Sequence, residues 1–208
     1  MKSQQEAHPI ALHFLKSTIY WNSSETTLPF YNEDAFEILR NITNWSSSDV
    51  IRQELLNYIE TISHGTFDYL TTDANKIEEY NTDQNKVQYF STYDEFMAFK
   101  EEMMEEFEFP DEQEALFDLE FGNGPADAAS IQIDQTIIAV VFASFIKNGE
   151  LSQELIQIGM AAIQRELLEI SLLKFEEEVR KIRRGELMQL AKDLTAYKKN
   201  NSDQEARK

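Results

Sequence analysis

Residues 134–147 read DQTIIAVVFASFIK and include the most apolar run of the chain. The segment Ile137 to Phe142 is apolar at every position, which is typical of an element that is buried on all sides. A buried strand would show a similar run, but Asp134 can cap a helix here. Ile133 and Ile138 also stand at the spacing of a hydrophobic staple. The sequence therefore predicts a core helix over 134–147.

Beyond this helix, Asn148-Gly149 predicts a turn into the longest helical pattern of the chain, from Ser152 to about Ile182. Helices joined by so short a turn pack as an antiparallel hairpin. Arg183-Arg184-Gly185 is predicted to end the second helix, and a last amphipathic helix then runs from Glu186 to about Lys198. The polar residues 200–208 predict a disordered tail. A homodimer through the 152–182 helix is a further expectation, because this helix has apolar residues on more than one face.

The part before residue 122 contains several helix-start signals. Asn32 is a predicted N-cap for a helix to about Asn41, and Ser46 with Asp49 forms a capping box for a helix that Gly65 ends. Residues 81–83 are turn-like and residues 86–90 are strand-like, which allows one small β-hairpin within 66–90. A further helix is predicted from Thr92 to about Phe107, stopped by Pro110.

These elements predict a mainly α fold, a helical bundle around a long C-terminal helical hairpin. The clearest loop, at residues 122–125, divides the chain into an N-terminal helical or mixed part (1–121), a C-terminal helical part of the same domain (122–199) and the tail (200–208). A chain of 208 residues with 42% hydrophobic content can bury one sizeable core.

The formal net charge of −19 is concentrated in the middle of the chain. Residues 94–134 contain fourteen Asp or Glu and a single basic residue, Lys100. Binding to a polyphosphate needs clustered Lys and Arg, so direct contact with nucleic acid or with an anionic membrane surface is disfavoured. The charge instead favours a basic protein as partner.

The candidate partner-binding surface combines these carboxylates with neighbouring aromatic side chains. Like charges at i,i+4 each cost a few tenths of a kcal/mol, so a helix that stacks several of them is a candidate for using their field. The aromatic residues can serve as anchors at the centre of an interface. An ordinary solubilising face over a Phe core is the alternative interpretation. The predicted set is Glu101, Glu102, Glu105, Glu106, Phe107, Glu108, Phe109, Asp111, Glu112, Glu114 and Phe117.

The search for chemistry excludes most enzyme classes. The chain has no cysteine and only three histidines, and it lacks a phosphate loop, a dinucleotide fingerprint and a nucleophile elbow. His64 is the best catalytic candidate, but a helix-end residue favoured by the dipole is the preferred interpretation. The Glu101/Glu105 and Glu102/Glu106 pairs could chelate Ca²⁺ or Mg²⁺, but no EF-hand spacing accompanies them. We predict no enzyme, no cofactor and no metal site.

The basic run at residues 180–184 is interpreted as a helix-end cluster. The N-terminus lacks a signal-peptide pattern, and the most apolar run, 137–146, is about half the length of a membrane span, so we expect a cytoplasmic protein. The predicted function is that of a stoichiometric inhibitor, of immunity or antitoxin type, of a basic and nucleic-acid-acting partner. The alternatives are a DNA-mimic anti-restriction or anti-defence protein, and a structural or assembly protein without inhibitory role. The near-neutral charge of residues 151–208 favours a local acidic patch over a mimic.

Overall fold

The computed structural model describes residues 7–21, 33–45, 47–63, 67–86, 98, 101–102, 128–172, 175 and 177–205. This part of the chain is helical and contains no strand, which confirms the mainly α fold. A short 3₁₀ helix covers Thr18–Tyr20. The α-helices are α1 (Pro9–Phe14), α2 (Glu33–Asn41), α3 (Ser48–Ile62), α4 (Ala74–Lys86), α5 (Ala128–Asn148), α6 (Gln153–Glu166), α7 (Glu169–Leu172) and α8 (Glu177–Glu205).

The predicted core element is a helix, α5, and it lies at the centre of the bundle. Helices α1, α2, α3 and α6 all pack against it. Its apolar run is covered on every side, with Ile137, Val140 and Phe142 fully buried. The helix begins at Ala128, so the prediction of Asp134 as its N-cap, with a staple from Ile133, is wrong. Asp134 is instead a buried residue of the second helical turn, where a partner from α6 satisfies its carboxylate.

Helix α5 is also long and apolar enough, from Ala129 to Asn148, to cross a membrane by length and composition. However, 78% of its most apolar window is buried inside the protein. The apolar surface of this helix is therefore already covered by the other helices of the bundle.

The turn between α5 and α6 agrees with the sequence-based prediction. Gly149 adopts a positive φ of 73°, which glycine accepts without steric cost, and its N–H donates to the carbonyl of Phe145. The Ser152 hydroxyl then caps α6 by accepting from the N–H of Leu155 at 3.2 Å. Helices α5 and α6 pack against each other and form the predicted hairpin.

The second helix of the hairpin is shorter than predicted. It ends at Glu166, and the short helix α7 separates it from α8, so the predicted continuous helix from Ser152 to Ile182 is wrong. The break contains no Gly or Pro, but Ser171 donates its hydroxyl hydrogen to the carbonyl of Arg165 at 3.0 Å and satisfies the exposed helix end.

A buried ion pair explains why the chain turns here. In an unbroken helix Glu166 and Arg183 would be about 25 Å apart. In the structure Arg183 Nη2 lies 2.5 Å from Glu166 Oε2, with both side chains buried. Helix α8 runs through Arg183-Arg184-Gly185 without interruption, so the predicted helix end at these residues is also wrong. It ends at Glu205, within the segment 200–208 for which the sequence predicts a tail.

The N-terminal helices are tied to this core by a few polar contacts. Tyr20 stacks on Phe142 and donates its hydroxyl hydrogen to Asp193 Oδ2 at 2.7 Å, which links the 3₁₀ helix to α5 and α8. Tyr58 of α3 donates to Asp34 Oδ2 of α2 at 2.9 Å and accepts from Thr136 of α5 at 3.2 Å. The hydrogen bonds of Tyr58 therefore fix the rotation of α3 about its own axis, and its distance, relative to α2 and α5.

Helix α2 confirms the predicted helix to Asn41, while its predicted cap, Asn32, lies outside the described residues. The N-cap of α3 is Ser47, not the predicted Ser46, and its hydroxyl accepts from the N–H of Val50. Three serines stand in a row at 46–48, so the spacing to Asp49 does not decide which of them caps. The C-cap is Ser63, and the predicted terminator Gly65 lies outside the described residues.

Residues 67–86 contain a helix where the sequence allows a hairpin. The side chain of Asp73 accepts from the N–H of Asn75 at 2.9 Å and starts α4. Helix α4 includes Asn81-Thr82-Asp83, so the predicted turn at 81–83 is wrong, and so is a hairpin within 67–86. Tyr80 anchors the helix by stacking on Phe67, with ring centroids 4.1 Å apart. Residues 87–90 lie outside the described residues.

Candidate functional site

Most of the predicted partner-binding set lies outside the described residues. Of its eleven members the structure describes Glu101 and Glu102, which are helical and exposed, as is the nearby Ala98. This agrees with the helix predicted across residues 92–107. The other nine members lie outside the described part, as do the loop at 122–125 and His64. The nine members are Glu105, Glu106, Phe107, Glu108, Phe109, Asp111, Glu112, Glu114 and Phe117.

The strongest concentration of charge among the described residues is buried. Arg165 of α6 donates from Nε to both carboxylate oxygens of Asp134 at 3.0 and 3.1 Å, and from Nη2 to Oδ1 at 2.6 Å. Nη2 also donates to the carbonyl of Tyr69 at 3.2 Å. The guanidinium carbon lies 5.6 Å from the ring of Phe67 and 5.4 Å from that of Tyr69, so the ring faces stabilise the cation further.

A second buried ion pair adjoins the first. Glu166, the next residue of α6, accepts from Arg183 Nε at 3.1 Å and from Nη2 at 2.5 Å. Both side chains are 2% exposed. The two pairs form one cluster, Asp134, Arg165, Glu166 and Arg183, which joins α5, α6 and α8. We call it the core ion cluster.

Burial changes the protonation behaviour of this cluster. Removal from water outweighs the attraction of Arg165 and raises the pKa of Asp134 to about 7. Burial likewise raises the pKa of the Glu166 carboxyl, against the attraction of Arg183. Burial alone would lower the pKa of Arg165, but Asp134 holds it above its usual range. Arg165 thus stays cationic, while Asp134 loses its proton less readily than an exposed carboxyl group does.

The core ion cluster has the geometry of a structural connection between helices. Its side chains are nearly inaccessible, and three cavities among the described residues are lined by other groups. A substrate could not reach these carboxylates without separating α6 from α8. Replacing one partner of such a pair leaves an uncompensated charge in the core, so the cluster fixes the angle at which α8 returns across the bundle.

Sequence reasoning missed this cluster, although signals for it exist. Asp134 interrupts an apolar run, and Arg165-Glu166 interrupts the apolar face of the next helix. The sequence pattern of Asp134 was interpreted as a helix cap, because a charged residue is rarely buried unless it is paired. The basic run 180–184 lies near a helix end, but this is the N-terminal end of α8 and not the C-terminal end of the helix before it. It lies in the first turns of α8, where Arg183 pairs in the core and Lys181 pairs with Glu177 at 2.6 Å on the surface.

A groove of about 600 Å³ lies between α4, α6 and α8. Ile77, Met160 and Leu194 give it an apolar floor, and Asn81 and Lys198 lie at its polar edge. Its described lining also includes the carboxylate of Glu78 and three threonine hydroxyls, but no histidine that could act on those hydroxyls as a general base. The groove can accept an apolar group, but its residues do not define a reaction.

The described histidines have structural contacts. His8 caps α1, since its Nδ1 accepts from the N–H of Ile10 at 3.2 Å, and His13 packs edge-on against Phe14. Within the described ranges no group of three or more His, Asp or Glu is placed to hold a metal ion. The candidate that remains for function is therefore the acidic surface predicted from the sequence, of which Glu101 and Glu102 are the described part.

No protein-family model matches this chain, and comparisons with curated proteins and with solved structures find no match either.

Proposed function

We propose that this chain is a non-catalytic inhibitor protein, of immunity or antitoxin type, that binds a basic partner protein through an acidic segment. The segment comprises residues 94–127, because Asp134 belongs to the core ion cluster. It contains thirteen acidic residues and one lysine. This density of charge is the observation that carries the proposal, since a solubilising face does not require it.

The described scaffold supports this role in a simple way. The segment is tied at both ends to helices of one bundle, because α4 ends at Lys86 and α5 begins at Ala128. The described acids within it, Glu101 and Glu102, are exposed to solvent. A basic protein approaching this side meets a negative field that accelerates encounter, while apolar side chains between the carboxylates can supply the short-range contacts.

The inhibitor proposal is favoured over a DNA mimic by the distribution of charge on α8. A mimic presents carboxylates along an extended surface. Between residues 180 and 199 of α8, however, both acidic residues, Glu186 and Asp193, are buried, and Lys192 and Lys199 are exposed. A positive surface on the same molecule fits a local acidic contact better than imitation of a uniform polyanion.

The proposal is tested by capturing partners from the source cell's lysate with three baits. These are the natural chain, the variant E101K/E102K, and the variant E37K/E60K, which changes the net charge equally at exposed positions on α2 and α3. We expect a basic protein that binds the natural chain and E37K/E60K but not E101K/E102K. Binding should weaken between about 0.05 and 0.5 M salt, because exposed charge contacts are screened.

The captured protein is then purified and its own activity is measured with and without this chain. Loss of activity at one equivalent supports inhibition, and displacement of the complex by added DNA would indicate that the chain occupies a DNA-binding cleft as a mimic. Equal capture by E101K/E102K and E37K/E60K would contradict the proposal, because the contact would then depend on overall charge and not on this segment.

A further inference from the structure

Helix α8 carries a straight line of exposed residues on the side away from the bundle. Lys181, Gly185, Met188, Lys192 and Lys199 are separated by three, four or seven positions, which places them on one face of a helix. All five are exposed. The line covers about 27 Å at the helical rise of about 1.5 Å per residue. We call it the α8 stripe.

Lys181, at the start of the stripe, pairs with Glu177 at 2.6 Å, and the rest of the stripe has positive charge alone. Asp193, which would otherwise offset the lysines, is buried and accepts hydrogen bonds from Tyr20 at 2.7 Å and from Gln189 at 2.9 Å. Glu186 is buried as well, with 6% exposure. No described residue forms an ion pair with Lys192 or Lys199. Between residues 182 and 199 the fold therefore turns the acids of α8 inward and turns Lys192 and Lys199 outward.

The centre of the stripe is suited to close contact with another helix. Met188 is 60% exposed, and a Cβ added at Gly185 would meet no atom within 4 Å. Ile182, on the adjacent part of the helix surface, is 52% exposed. An apolar centre between lysines is the pattern by which helices pair through a small apolar seam with charges on its flanks. The matching surface must be carboxylate-rich, because two α8 stripes would repel each other.

This chain itself contains such a surface. Glu101 and Glu102 are exposed on a helical part of the acidic segment, and Lys192 and Lys199 are exposed on α8, so these described charges do not cover each other within one chain. A nucleic acid is a poorer candidate for the stripe, because it would approach a protein of net charge −19.

We propose that two copies of this chain form a two-fold dimer in which the α8 stripe of each copy binds the acidic segment of the other. The contact occurs twice in such a dimer, and two-fold symmetry closes the assembly instead of extending it into a filament. The interface differs from the one expected from the apolar faces of residues 152–182, because it is electrostatic and uses the outer face of α8. It does not depend on the proposed inhibitor function.

The test uses two charge reversals and their mixture. K192E/K199E makes the stripe negative, and E101K/E102K makes the described part of the acidic segment positive. Each variant alone places like charges at both contacts, so dimerisation measured by sedimentation equilibrium at low salt should weaken about tenfold or more. In an equimolar mixture each copy again meets an opposite charge, and a heterodimer should form with near-natural affinity.

Matched controls exclude trivial effects of net charge. K16E/K76E and E37K/E60K change exposed residues on other surfaces by the same amounts and should dimerise like the natural chain. Circular dichroism and thermal unfolding of every variant verify that each is folded. A natural chain that is monomeric at low salt overturns the proposal. So does a dimer that neither reversal weakens, which would place the interface elsewhere, or a mixture of the two reversals that stays monomeric, which would indicate contact within one chain.

Discussion

The pair Asp134–Arg165 gives the sharpest prediction about stability. The side chains are 4% and 1% exposed, and Arg165 makes a forked contact with both carboxylate oxygens. The variant R165M keeps a long side chain but removes the cation, so Asp134 and the carbonyl of Tyr69 lose their donor. Breaking a buried pair in this way costs about 3–5 kcal/mol of unfolding free energy. For a chain of this size that corresponds to a decrease in Tm on the order of 10 °C.

The double variant D134L/R165M separates the charge effect from the packing effect. Replacing both partners by apolar groups removes the unpaired carboxylate, so most of the loss should be recovered. The carbonyl of Tyr69 still lacks the donor at 3.2 Å, and an unsatisfied buried acceptor costs about 1–3 kcal/mol. We therefore expect the double variant to be more stable than R165M and somewhat less stable than the natural chain.

The assay is urea unfolding followed by tryptophan fluorescence, from which the free energy and its denaturant dependence are obtained. The surface pair Arg52–Glu154, with side chains 35% and 41% exposed, supplies the control, and R52M should cost at most about 1 kcal/mol. If R165M costs no more than R52M, or if the double variant is as unstable as R165M, the core ion cluster does not hold the helices together as argued.

Three further predictions concern pH and two of the described glycines, Gly185 and Gly149. The pKa of Asp134 is raised to about 7 in the folded chain, above its ordinary value near 3.8, so its contribution to stability is fully present below about pH 4 and is lost as the pH rises through 7. The variant D134N should remove this loss from the pH profile of the unfolding free energy. G185A should raise stability by about 0.5–1 kcal/mol in urea unfolding, because Gly185 lies inside α8 and an added Cβ meets nothing; a decrease would show that another surface requires this glycine. G149A should lower Tm, because its φ is +73° and the Cβ would lie 1.8 Å from Nδ1 of His8; an unchanged Tm would contradict the assigned turn.

The sequence predicts the α5–α6 hairpin because local rules and tertiary packing agree there. The apolar run of α5, the Gly149 turn and the Ser152 cap each favour the same structure. Prediction fails where a distant partner decides. Nothing local marks Glu166 as the last residue of α6, because the break is stabilised by the pairing of Glu166 with Arg183. Asp134 resembles an N-cap for the same reason, since its actual partner, Arg165, is thirty-one residues away.

At residues 81–83 a local turn signal is present, but the chain forms a helix there. Its polar residues have turn propensity, but helix α4 rests on a start signal at Asp73 and on the contact of Tyr80 with Phe67, which sequence patterns do not reveal. The inward and outward division of charges on α8 is equally hidden. By composition residues 151–208 are near neutral, and only the fold shows that Glu166, Glu186 and Asp193 are buried while Lys192 and Lys199 face solvent.

The two proposals share Glu101 and Glu102, and this sharing has a measurable consequence. If the acids bind either the α8 stripe of a second copy or a basic partner, the two complexes compete. The apparent Kd for the partner should then rise with the total concentration of this chain, because more of it is dimeric. K192E/K199E, in which dimerisation is expected to be weaker, should bind the partner with an apparent Kd that changes much less with concentration. Titrating a fixed amount of labelled partner with the natural chain and with this variant, both from well below to well above the dimer Kd, distinguishes the two situations. A ternary complex of dimer and partner at saturation would show that the basic partner and α8 bind different parts of the acidic segment.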